Sequence, residues 1–165
     1  MRMDRWMAMA MAGGTALSLA APAHAETANG TSTVSVYRPI TLASLLDMHF
    51  GHIVASASGG NVTLATATGT RLCDGALVCS GSYGFAKLIV SGTNGVVQVT
   101  YDPVYHLTGP GQDMPVTLDF PGGSGSLLTI ASNTLEVDFG ATVYVNPNQT
   151  PGDYSGLISI NVDYQ

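Results

Sequence analysis

Apolar and polar residues alternate over short segments along most of this chain. In PVTLDF (115–120), the apolar residues Val116, Leu118 and Phe120 share one side and polar residues occupy the other. A period of two residues is the pattern of a half-buried antiparallel strand. TLEVDFG (134–140) repeats this pattern. Further strand candidates follow at 61–67, 85–91, 96–101, 126–130 and 141–145.

Turn signals rich in glycine and proline separate these segments. They lie at 59–60, 93–95, 109–111, 121–125 and 146–153. The one helical candidate is LASLLDM (42–48), for which we expect a turn at most. Closely spaced strands without helices for crossovers are typical of an antiparallel sandwich or barrel. With 165 residues, the chain is long enough for one domain with its own core.

The chain ends in a strongly alternating segment, LISINVDY (157–164). One side of this segment is wholly apolar, with Ile158, Ile160, Val162 and Tyr164. A strand of this kind needs neighbours on both edges, so its partners are a question that the sequence raises. Tyr154 follows a Pro-Gly turn just before this strand. It resembles the tyrosine corner of Greek-key sandwiches, in which the hydroxyl bonds back to the connecting loop.

The first 25 residues have the composition of a signal peptide. Arg2 and Arg5 precede an apolar run that ends in Ala23-His24-Ala25, a small-residue cleavage site. An uncleaved anchor helix is the alternative, but the run is short and contains Pro22. No later segment is apolar for long enough to span a bilayer. We therefore expect export, with the mature protein in the periplasm, on the cell surface or outside the cell.

Charge narrows the range of partners. Beyond residue 25 the chain keeps three cations against ten acidic residues, a net charge of −7. A protein without a basic patch is a poor binder of nucleic acid, because it releases few phosphate counterions. The few charges suit an extracellular β-protein.

Cys73 and Cys79 are the only cysteines. In an exported chain an isolated pair indicates a disulfide, and its short loop limits the stabilisation to about 2 kcal/mol. We expect this bond to pin a local hairpin around Asp74-Gly75. A metal site is disfavoured, because no nearby histidine completes four ligands.

The sequence offers no support for catalysis, a metal or a cofactor. The available bases are His49, His52 and His106, and no nucleophile elbow or phosphate-binding loop accompanies them. We expect His49 and His52 to be ordinary surface or edge residues. Tyr101, Tyr105 and His106 could line a loop site, which keeps a self-contained carbohydrate- or surface-binding module as an alternative function. We expect at least one of these rings to be buried.

Four stretches of the chain resemble a family of exported bacterial β-sandwich domains of unknown function (four-four-zero-two). They are DMHFGHI (47–53), SGGNVTLATATGTRLCDG (58–75), FAKLIVSGTNGVVQVTY (85–101) and FGATVYVNPNQTPGDYSGLISINVDY (139–164). The most specific positions are Phe50, Gly51, Gly140, Gln149, Gly152, Tyr154 and Ser155.

The terminal strand also resembles that of spore-coat-protein-U-type pilins, the subunits of archaic chaperone-usher pili. This resemblance implies an immunoglobulin-like sandwich that lacks its final strand and is completed by an N-terminal arm of the next subunit. It also implies self-association and a periplasmic chaperone. The candidate arm is residues 26–40, with Val34 and Val36 on one side and Pro39 at its end, and the domain itself is 41–165. The alternative is that residues 31–37 form the domain's own first strand.

Overall fold

The computed structural model describes residues 26–165, with the side chains of Ser44 and Leu45 excepted. The predicted signal peptide lies outside the described residues. Residues 26–35 and residues 36–165 belong to separate units. Residues 26–35 contain no helix or strand.

Residues 36–165 contain twelve strands and no helix. In chain order the strands are β1 Thr41–Leu46, β2 His52–Val54, β3 Gly60–Ala65, β4 Thr70–Cys73, β5 Val78–Ser80, β6 Ala86–Ser91, β7 Gly95–Tyr101, β8 Val104–Leu107, β9 Met114–Asp119, β10 Ser126–Ile130, β11 Thr134–Val145 and β12 Ile160–Tyr164.

Two antiparallel sheets form the body of the domain. The larger is a curled seven-stranded sheet in the order β1-β6-β11-β3-β4, with β9 also paired to β11 and β8 to β9. The smaller is the three-stranded sheet β10-β7-β12, and β2 pairs with β5 in a separate ribbon. The prediction of an antiparallel all-β sandwich is therefore confirmed.

The long strand β11 pairs with different strands along its length. Its first half pairs with β6 up to Phe139. Its second half pairs with β9 from Gly140 onward and with β3 from Ala141 onward. A side chain at Gly140 would meet the carbonyl oxygen of Leu64. Glycine at this position therefore allows β3 to approach the strand closely. The segments 134–140 and 141–145, which we predicted as separate strands, are one.

The core lies between the two main sheets. It combines inward-facing residues of both sheets, and none of the polar or charged side chains that the structure describes is buried as a whole. Its largest completely buried side chains are Val62, Leu64, Val90, Val97, Val99, Val116, Ile130 and Val143. Most occupy alternate positions of predicted strands, as the two-residue period requires.

Two further predictions from local patterns are wrong. Residues 41–46 form β1, paired with β6, although we expected a turn at most within 42–48. Pairing with a neighbouring strand decides the conformation there, because strand preference depends on tertiary context. The expected hairpin around Asp74-Gly75 is also absent, since β4 pairs with β3 and β5 pairs with β2.

Candidate functional site

An open apolar groove of about 1340 Å³ runs along one side of the sandwich. Its buried lining comes from core strands and includes Leu88, Met114, Phe139, Val143 and Val145. Its exposed lining includes Leu42 and Leu46 of β1 and Leu157 before β12. Core side chains are therefore reachable from outside through this groove.

The strands beside the groove lie at the ends of their sheets. β1 is the last strand of the seven-stranded sheet, and β12 is the last strand of the three-stranded sheet. Within the described part of the chain, β12 has a ladder partner only in β7. An edge strand presents backbone N–H and C=O groups that another strand can pair with.

The C-terminal residues that we predicted to face the core do so in the structure. Val162 is buried, and Ile158, Ile160 and Tyr164 are partly buried against the core. The ladder between β12 and β7 is shorter than the alternating segment 157–164. It begins at Ile160, because the partner strand β7 ends at the opposing residue, Tyr101. Residues 157–159 continue past that end without a strand partner, and Leu157 is 94% exposed.

Tyr154 fixes the turn that precedes this segment. Its hydroxyl donates a hydrogen bond of 2.8 Å to the carbonyl oxygen of Thr150. The ring lies where side chains at Gly109 and Gly111 would stand. The neighbouring Ser155 forms a two-way backbone bridge with Thr108. These contacts hold the chain at one end of the groove.

The predicted anchors of the N-terminal arm are exposed. Residues 26–40 contain no helix or strand, and Val34 and Val36 are 87% and 86% exposed. These are the two most exposed valines among the large hydrophobic residues that the structure describes. Neither valine is part of the core in this molecule.

The residues that follow Val36 are anchored at the end of β12. The Tyr164 hydroxyl donates to the carbonyl oxygen of Arg38 at 2.9 Å and accepts from the Thr93 amide at 2.7 Å. The Arg38 amide in turn donates to the Thr93 hydroxyl at 2.8 Å. The rings of Tyr37 and Tyr164 lie 4.9 Å apart. Sequence reasoning missed this cluster, because its members are far apart in the chain.

The predicted disulfide between Cys73 and Cys79 is confirmed. It connects β4 of the large sheet to β5 of the two-stranded ribbon. Arg71 strengthens the same connection, donating to the carbonyl oxygens of Phe50 at 2.8 Å and Ser80 at 3.0 Å. Since residues 47–55 line the groove, these contacts fix part of its wall.

The three residues of the alternative binding site do not converge. Tyr101 is buried on β7, with its ring 5.4 Å from that of Phe120. Tyr105 and His106 lie on β8 of the other sheet, and only Tyr105 lines the groove. Burial raises the pKa of Tyr105 to about 12. The expectation that at least one of the rings is buried is confirmed.

The histidines near β2 take part in backbone pairing. His49 forms a two-way backbone bridge with Gly84, and His52 pairs with Ser80. Within residues 26–165, no group of three or more His, Cys, Asp and Glu residues is placed to hold a metal ion. The helix search of the same residues finds no membrane-spanning helix.

Comparison with known proteins places the chain in a family. Residues 40–164 match the family model described as Domain of unknown function (DUF4402). No curated protein and no solved structure matches the chain. The resemblance to spore-coat-protein-U-type pilins is not confirmed by these comparisons and stays a prediction. The family match covers all twelve of the described strands, and the chain belongs to the DUF4402 family of domains of unknown function.

Proposed function

We propose that this protein is an exported structural subunit of a surface fibre that assembles by β-strand addition. The observation that carries the proposal is the apolar groove between β1 and β12, two strands at the ends of their sheets. In strand addition, main-chain hydrogen bonds along an open edge supply affinity, and alternate side chains in pockets supply specificity. The groove offers both features.

The proposed donor is the N-terminal arm, residues 26–40, of a second copy. Val34 and Val36 supply two apolar side chains at the two-residue spacing of a strand. Both are exposed and therefore available to a neighbour. Pro39 ends the pairing, because proline has no N–H to donate to a ladder.

An uncovered groove of this kind is a hazard for a subunit before assembly. Exposed apolar surface beside open strand edges promotes aggregation. We therefore include a periplasmic chaperone among the proposed partners, one that covers the groove until a second copy replaces it. The signal peptide proposed for residues 1–25 would deliver the chain to that compartment.

The proposal is tested by replacing the two exposed valines. The double variant Val34→Asp/Val36→Asp should remain folded, because both side chains lie outside the core. It should lose the filaments that the wild type forms in electron micrographs and the ladder of multimers on unboiled gels. Deletion of residues 26–35 should have the same effect, while keeping the contacts of Tyr37 and Arg38 with Tyr164.

Val78→Asp is the matched control. Val78 is also an exposed valine, at 62%, but it does not line the groove. The control should polymerise as the wild type does. Wild-type protein that stays monomeric at all concentrations, or a double aspartate variant that still polymerises, would refute the proposal.

A further inference from the structure

We propose a direction and a register for the donated arm: it lies antiparallel to β12 of the next copy, with Arg38 at the groove end that carries Asp47 and Asp153. The inference rests on the proposed function, because it describes how one copy occupies the groove of another. It follows from the placement of charges and from the pleat of the strands.

The two ends of the groove can be told apart. Arg38 is bonded to Tyr164, so the chain enters β1 beside the final residues of β12. β1 then runs toward Leu46, which lines the groove together with Leu157 and Ile160. Hence β1 ends near the start of β12. We call this the far end of the groove, defined by Asp47, which follows β1, and Asp153, which precedes β12.

The far end is acidic. Asp47 and Asp153 are exposed, line the groove and have no ion pair among the described residues. Lys87 lines the groove as well, but it is bound to Glu136 at 3.3 Å and Asp138 at 3.5 Å. The remaining titratable groups of the lining are His49 and His52, apart from the tyrosines. Among the described residues, the two groove carboxylates therefore lack a neutralising partner.

Arg38 is the cation available to pair with Asp47 and Asp153 of a second copy. Of the three cations beyond residue 25, Lys87 is ion-paired, and Arg71 is bound to backbone carbonyls and lies 5.0 Å from the centre of the Tyr83 ring. The side chain of Arg38 is exposed and has no ion pair among the described residues. Its position is fixed by backbone bonds, which reduces the entropy lost on binding.

The antiparallel direction brings these charges together. An arm parallel to β12 would place Arg38 beside Tyr164 of the acceptor, at the opposite end of the groove from Asp47 and Asp153. An antiparallel arm places Arg38 beside the residues that precede β12, at the end of the groove that carries Asp153. Opposite charges at the rim of an interface speed association and fix register.

The pleat selects the register. Directly opposed residues of antiparallel strands point to the same side, so the two valines must face residues of the apolar side of the terminal segment. Ile158 and Ile160 line the groove, whereas Val162 is already buried and does not. We therefore place Val36 opposite Ile158 and Val34 opposite Ile160.

This register has two structural consequences. Arg38 comes to lie opposite Gly156, where the carbonyl oxygen of His106 and the side chain of Leu107 occupy the space that a side chain would need. Residues 157–159, which have no strand partner in the single molecule, gain one from the arm. β12 would thus lengthen toward its start when a second copy binds.

A disulfide cross-link tests the direction and the register. Ser35 and Ser159 are directly opposed in the proposed pairing, and both are exposed. Ser35→Cys/Ser159→Cys should form covalent multimers under mild oxidation, while Cys73 and Cys79 remain bonded to each other. The control pair Ser35→Cys/Asp163→Cys places the second cysteine four residues further along β12 and should form none.

The outcomes separate this inference from the proposed function. Filaments that cross-link through the control pair and not through Ser35→Cys/Ser159→Cys would overturn the direction and register alone. A wild type that forms no filaments would overturn the proposed function and this inference with it. Mixing single-cysteine variants shows that any link joins two copies.

Charge reversal tests the role of Arg38. Arg38→Asp and Asp153→Arg should each slow assembly by about tenfold, the effect expected when like charges meet at an interface. Combining the two changes should restore most of the rate. Asp113→Arg is the control, because Asp113 is exposed but does not line the groove. Equal rates for the single reversals, the control and the wild type would overturn the placement of Arg38 at the acidic end.

Discussion

The hydroxyl of Tyr164 donates a hydrogen bond of 2.9 Å to the carbonyl oxygen of Arg38, across 126 residues of sequence. The same hydroxyl accepts a bond from the amide of Thr93. One side chain at the end of β12 therefore holds the segment that leads into β1. In the proposed assembly this contact fixes the point from which the arm reaches a second copy.

Removing that hydroxyl should destabilise the domain. Tyr164→Phe keeps the ring contact with Tyr37 but leaves the partly buried amide of Thr93 without its acceptor. We expect the free energy of unfolding to fall by about 1–2 kcal/mol, measured by urea denaturation. Tyr144→Phe is the control, because no hydrogen bond of the Tyr144 hydroxyl is found among the described contacts. An equal loss in both variants would contradict the role of Tyr164.

The disulfide offers a second test of stability. It closes a loop with a sequence separation of six residues between β4 and β5. Loop entropy predicts that Cys73→Ala/Cys79→Ala lowers the free energy of unfolding by about 2 kcal/mol. The wild type in reductant should match the variant, and reductant should not affect the variant further. A variant as stable as the oxidised wild type would show that the other contacts of the ribbon, among them those of Arg71, hold it in place without the disulfide.

Strands with strict alternation were predictable from the sequence, and short strands were not. The segments that became β6, β7, β9 and β10 alternate between more buried and more exposed residues, so their sequence pattern reflects packing against the core. β2, β4, β5 and β8 are three or four residues long, too short for a period to be recognised. β1 was missed because pairing with β6 outweighs the local preference of its leucines.

The candidate site was only half visible in the sequence. The alternating face of residues 158–164 indicated one side of the groove, because it reflects burial against the core. The other side includes Leu42 and Leu46 of β1, whose position beside the groove results from the pairing of β1 with β6. The contact between Tyr164 and Arg38 depends on the fold in the same way, since it joins the two ends of the domain.

Gly140 should be intolerant of any side chain. A methyl group at this position would collide with the backbone carbonyl of Leu64, which cannot move without disturbing β3. We expect Gly140→Ala to lower the free energy of unfolding by about 1–3 kcal/mol, the usual range for overpacking, in a thermal or urea denaturation. Gly75→Ala is the control, because nothing lies within 4 Å of the added carbon. Equal stability of the two variants would contradict this account of the change of partners along β11.

The burial of Tyr105 predicts a loss of stability in alkaline solution. Desolvation raises the pKa of Tyr105 in the folded protein to about 12, above its ordinary value of 10.0. A raised folded-state pKa means that the contribution to stability is fully present below pH 10 and is lost as the pH rises toward 12. The urea midpoint should therefore fall across this window, and Tyr105→Phe should reduce the fall. Part of it should persist, because burial also raises the pKa of Tyr101. An unchanged pH dependence in Tyr105→Phe, equal to that of Tyr144→Phe and of the wild type, would show that Tyr105 ionises as freely in the folded protein as in the unfolded chain.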